Sequence, residues 1–165
     1  MSQSNADAVR EFTEGASGKP CPTTPKPMDH ENVRFIIRMV MSELCELACT
    51  VTENPEQRDK LMQEALDTRD FCNNFNYPTR TNLIGAQFDA LVDAWYYSLN
   101  IAARHGVNMS RIFDVVHQAN MNKRDPTTGK FLRRESDGKI IKPEGWKSPD
   151  IDGEIERQDN DGAWN

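Results

Sequence analysis

The sequence has no run of eighteen apolar residues, so no membrane span is expected. Its N-terminus lacks the basic and then apolar pattern of a secretory leader, and cytoplasm is the default location these missing signals leave. Basic charge is not in excess. Twenty Lys and Arg against 26 Asp and Glu give a formal net charge of -6. A nucleic-acid polymer, which needs a basic surface, is therefore not an expected partner. No C-x-x-C pair occurs among Cys21, Cys45, Cys49 and Cys72, and His30, His105 and His117 have no zinc spacing. The expectation is of reduced, mostly buried thiols. No internal repeat of fixed period is present.

What remains is a polar globular chain. A length of 165 residues fits one domain with tails. The mean hydropathy of -0.74 implies that part of the length lies outside a core. Four Asp, two Glu and one Arg in the stretch from Asp150 to Asn165 carry -5 of the charge, leaving the rest near neutral.

Residues 1–28 read as an N-terminal arm. A short helical possibility at Ala6–Glu14 is followed by a Pro- and Gly-rich stretch that cannot be regular helix. A helical core is expected over residues 29–125. Its first long helix, Glu31 to Thr52, has no Pro or Gly. Ile36, Ile37, Val40, Leu44, Leu47 and Val51 form one stripe along it, with Asp29 or Asn32 as N-cap. Asn54-Pro55 ends that helix, and Pro55 suits the first turn of a second one running to about Phe71. Cys72 to Asn82 reads as a loop. Leu83 to Ala103 is apolar nearly all round, with no Lys, Arg or Glu, which predicts burial on most sides. Gly106 follows as its C′ residue. A fourth helix is expected from Ser110 to Met121. Residues 126–149 read as a β-hairpin, centred on Ser136-Asp137-Gly138, and a stretch pinned by Trp146. Residues 150–165 read as a disordered acidic tail. The fold class is all-α: a four-helix antiparallel bundle with a short C-terminal hairpin and extended tails.

Two pairs of acids carry the chemistry. Glu43 and Glu46 are three apart on the first long helix, so they share a face. Asp89 and Asp93 are four apart on the apolar helix, whose only charges they are. Burying two aspartates costs several kcal/mol each unless a cation compensates, and their own helix supplies none. If the two helices face each other, the four carboxylates make a hard-oxygen site suited to Mg²⁺ or Mn²⁺.

Arg38-Met39-Val40-Met41-Ser42-Glu43-Leu44-Cys45-Glu46-Leu47 resembles the R-L-I-x-E-E-x-x-E-L signature of the all-α nucleoside triphosphate pyrophosphohydrolases, a superfamily that includes the MazG-like enzymes. Asp89 to Tyr97 resembles its second motif. Val116 to Lys123 and Asp137 to Asp150 resemble segments of the phosphoribosyl-ATP pyrophosphohydrolase-like branch. Ser42 and Ala90 stand where the superfamily has acids. The resemblance implies Mg²⁺-dependent cleavage between the α- and β-phosphates, giving a nucleoside monophosphate and pyrophosphate. Glu43, Glu46 and Asp93 would be metal ligands, and Asp89 either a ligand or the group that orients water. Asn120, Lys123 and Arg124 would contact the nucleotide substrate. A homodimer or homotetramer is expected, both from the resemblance and because three other helices leave the apolar one short of cover. Two other expectations stand beside this one. They are a phosphoribosyl-ATP pyrophosphohydrolase, and a non-catalytic helical interaction module of the same fold.

Overall fold

A computed structural model describes residues 4–66 and 83–164. The loop expected at Cys72 to Asn82, and the end of the second helix near Phe71, lie outside the described residues. Among those residues the structure has six helices: α1 (Asn5–Ser17), α2 (His30–Cys49), α3 (Pro55–Leu66), α4 (Leu83–Arg104), α5 (Met109–Met121) and α6 (Ile151–Asp161). The chain divides into two compact units, Thr24–Leu91 and Met1–Thr23 with Val92–Asn165. The division falls inside α4.

In the first of these units, α2 packs on α3. The Asp29 side chain caps α2 by accepting from the Asn32 backbone N–H at 2.8 Å. Pro55 opens α3, as expected, with the Asn54 side chain accepting from the Gln57 N–H at 3.0 Å. The Gln87 amide bonds both backbone groups of Met28, its oxygen accepting from N–H and its nitrogen donating to C=O, each at 2.8 Å. That pair ties the start of α2 to α4.

In the other unit, α5 is central and contacts both α1 and α6. Ile112 and Ala119 of α5 are buried, as are Ala8 and Ala16 of α1. α4 ends in a Schellman motif: Gly106 has φ +74°, its N–H donates to Ala103, and the Val107 N–H donates to Ala102 at 2.9 Å. α1 is longer than the sequence indicates and docks on the segment after α5. Phe12 meets the Phe131 ring edge to face at 5.2 Å, and the Arg133 guanidinium donates to the Ala16 carbonyl at 2.8 Å.

Three expectations need correction. The β-hairpin does not form a ladder. Two isolated bridges, Arg124 with Phe131 and Arg133 with Ile140, close successive turns, and no strand is present among the described residues. Arg133 spends its guanidinium on the carbonyls of Ala16 and Gly138, holding the second turn to α1 and to itself. The acidic tail is not disordered but forms α6. Asp150 caps it by accepting from the Gly153 N–H at 3.2 Å, and a side chain at Gly153 would collide with that carboxylate. Asp152 and Glu154 in its first turn suit the positive end of the helix dipole. Glu154, with 7% of its side chain accessible, receives the Arg111 guanidinium at 2.7 Å and Arg157 at 2.9 Å. Gln158 accepts from the Asn108 N–H at 2.8 Å, at the start of α5. The thiols are also less covered than expected: Cys21 and Cys45 are half-buried and Cys49 is exposed, all three unpaired.

Hydrogen bonds from Arg157, and then Gln158 and Arg111, hold the Glu154 carboxyl below its ordinary range. A depressed folded-state value means stabilisation that is complete above about pH 4.5 and is lost as pH falls through the lower folded value. Melting temperature measured from pH 6 downward is expected to fall more steeply for the wild type than for Glu154→Gln. Equal slopes would contradict this account of how α6 is held.

Candidate functional site

The acids of the two motifs are placed as their spacing requires. Glu43 and Glu46 lie on α2, three apart, and both are exposed. Asp89 and Asp93 lie on α4, four apart, and both are exposed. Among the described residues no Lys or Arg pairs with any of the four. Their oxygen chemistry fits a hard divalent cation. Among the described residues no group of three or more such side chains comes together as a metal site.

The apolar residues beside these acids are not covered by the described residues. α4 has no buried residue. Trp95, Tyr96 and Tyr97 are 55%, 66% and 73% exposed, and Leu47 on α2 is 63% exposed. Burial of α4 on most sides, expected from its composition, is thus not seen among the described residues.

The expected substrate contacts divide. Asn120 and Lys123 come together at the end of α5, where the Lys123 Nζ donates to the Asn120 Oδ1 at 2.7 Å. Partial burial, and then repulsion by Lys142, hold the Lys123 pKa below its ordinary value. Arg124 turns the other way. Its guanidinium pairs with Glu11 at 3.1 Å and lies 5.3 Å from the Phe131 ring centre, binding α1 to the first turn after α5. Asp125 shapes that turn, and its carboxyl is held low by hydrogen bonds from Thr128 and Thr127. A cleft of about 660 Å³ opens beside it, lined by Gln118, Asn122, Asp125, Glu144, Trp146 and Lys147 among others.

Trp146 anchors the segment before α6, as its isolation in a Pro- and Gly-rich stretch implies. Its Nε1 donates to the Ala119 carbonyl at 2.8 Å. His117 stacks on Phe113, with ring centres 5.8 Å apart, and is a packing residue. Lys142 carries no expected role in the sequence, yet its Nζ lies 4.2 Å from the Trp146 ring centre. A Lys four residues before an isolated Trp in K-P-x-G-W was the available signal.

No family model matches the chain, and no curated protein matches it. Among solved structures, that of a provisionally assigned NTP pyrophosphohydrolase from Exiguobacterium sp. 255-15 aligns with a TM-score of 0.81 at 24% identity. The match covers 98% of this chain and 99% of that one. The likeness is one of fold, and it extends from end to end, α1 and α6 included.

Trp146→Phe retains the ring and removes the bond to Ala119. Urea unfolding is expected to show a loss of about 1 kcal/mol at unchanged m-value. An unchanged midpoint would mean that the bond does not hold the segment.

Proposed function

We propose that the chain is a divalent-cation-dependent nucleotide pyrophosphohydrolase, cleaving (d)NTPs or a related nucleotide between the α- and β-phosphates. The observation that carries this reading is the state of the four motif acids. Glu43, Glu46, Asp89 and Asp93 stand exposed without a cationic partner among the described residues. They do so in a fold shared end to end with a provisionally assigned NTP pyrophosphohydrolase.

Glu43, Glu46 and Asp93 would hold Mg²⁺, or Mn²⁺ in its place. Asp89 would join them or orient the attacking water. The bound cation would offset the repulsion between carboxylates and a polyanionic substrate and make water a better nucleophile. Asn120 and Lys123, already paired, would bind the phosphate or sugar end of the substrate through a charge-assisted contact. Arg124, engaged by Glu11 and Phe131, would act by holding the turn in which it lies.

A homodimer or homotetramer belongs to this reading. The support is the exposure of the large apolar side chains Trp95, Tyr96 and Tyr97 on α4 and, separately, of Leu47 on α2.

With Mg²⁺ and a panel of nucleotides that includes phosphoribosyl-ATP, the wild type is expected to release pyrophosphate. Glu46→Gln and Asp93→Asn are each expected to lose about 100-fold or more, since a metal's charge stabilisation is worth several kcal/mol. EDTA should abolish release. A folded protein that turns over no nucleotide, with a melting temperature indifferent to Mg²⁺, would instead identify a non-catalytic module.

Light scattering is expected to give a mass of two or four chains. Tyr97→Asp, placing a charge on the exposed apolar surface, is expected to shift the population toward monomer. A wild type that is monomeric at high micromolar concentration would remove the self-association part of the reading.

A further inference from the structure

Two lysines share one indole. The Nζ of Lys123, just past the end of α5, lies 5.5 Å from the Trp146 ring centre, and that of Lys142 lies 4.2 Å from it. The ring is tied in place by its Nε1, which donates to the Ala119 carbonyl. Lys123 is further fixed by Asn120. Among the described residues neither lysine has a carboxylate partner. Two ammonium groups are thus drawn to one ring without a counter-ion.

Part of this has a local explanation. Lys123 follows the C-terminus of α5, where the helix dipole favours a cation. That does not account for Lys142, which belongs to an extended stretch more than a dozen residues away in sequence. The indole attracts each lysine separately, but it does nothing to relieve their mutual repulsion. A multiply charged anion would relieve it, and each ammonium has donors to spare for its oxygens. The carboxylates near the cleft beside the ring, Asp125 and Glu144, are accounted for differently. Asp125 is occupied by the Thr127 and Thr128 groups, and Glu144 is exposed at the rim.

We propose that Lys142 and Lys123, braced on Trp146 and assisted by Asn120, form a binding site for a phosphate-group anion of at least two charges. The polyphosphate of a nucleotide substrate and a pyrophosphate product share that chemistry. The choice of polyphosphate as ligand rests on the function proposed above. The existence of the anion site does not.

The probe is pyrophosphate, titrated into the full-length protein in EDTA. Binding is read from heat and from the Trp146 indole N–H resonance, assigned by its loss in Trp146→Phe. Lys142→Met is expected to weaken binding about 10-fold or more, and Lys142→Arg to restore most of it, because Arg also donates to phosphate oxygens. A parallel titration with the unphosphorylated nucleoside should be indifferent to Lys142→Met. If adding the nucleoside to pyrophosphate, as a nucleotide, leaves the Lys142 effect intact, the polyphosphate is the group bound. Two results overturn the site: no pyrophosphate binding by folded wild type, or equal affinities for the wild type and Lys142→Met. Failure of the enzymatic reading looks different. No nucleotide would then be hydrolysed, while pyrophosphate binding would still depend on Lys142.

Discussion

An α-helix that is apolar on nearly every face needs cover on nearly every side, and α4 is such a helix. Among the described residues it has no buried side chain of its own. The two aspartates that interrupt its apolar sequence are exposed for the same reason, since nothing in the described chain closes over them. Two of the four carboxylates proposed to bind a cation and the aromatic residues proposed to bind a second copy of the chain therefore lie along one element. An assembly of the kind proposed would have to cover the aromatics and leave the aspartates open to the cation. A bound cation would lower the cost of bringing carboxylates near an apolar interface, because it supplies the compensation the helix itself lacks.

The unit built around α5 solves its problem differently. It has few large buried side chains, and its elements are joined by specific polar contacts. Arg124 and Arg133 attach α1 to the turns after α5, Trp146 attaches the next segment to Ala119, and Glu154 and Gln158 attach α6 to the start of α5. These contacts link residues far apart in sequence. They are also directional, so they fix the end of α5, where Asn120 and Lys123 lie, more sharply than apolar packing of small residues would.

Local signals were legible in the sequence and distant ones were not. Asp29 as N-cap, Pro55 as a helix opener and Gly106 as a left-handed terminator each act within four or five residues, and each is where the pattern places it. A hairpin is expected because Phe131-Leu132 and Ile140-Ile141 have strand composition. Whether such residues form a ladder is decided by partners such as Ala16, more than a hundred positions away. Disorder is expected of the acidic tail because charge averaged over sixteen residues hides the spacing of Glu154 and Gln158, four apart and aimed at Arg111 and Asn108. For the site, the residue types and spacings of the acids could be read directly. The diversion of Arg124 to Glu11 and Phe131, and the meeting of Lys142 with Lys123, depend on tertiary placement and could not be.

The claim on which the rest turns is the position of bond cleavage. Phosphorus NMR of a nucleoside triphosphate incubated with the protein and Mg²⁺ reports it without any variant. The account predicts growth of a single pyrophosphate resonance matched by a nucleoside monophosphate, with neither diphosphate nor inorganic phosphate formed first. A nucleoside diphosphate with inorganic phosphate would place the attack at the γ-phosphate and contradict it.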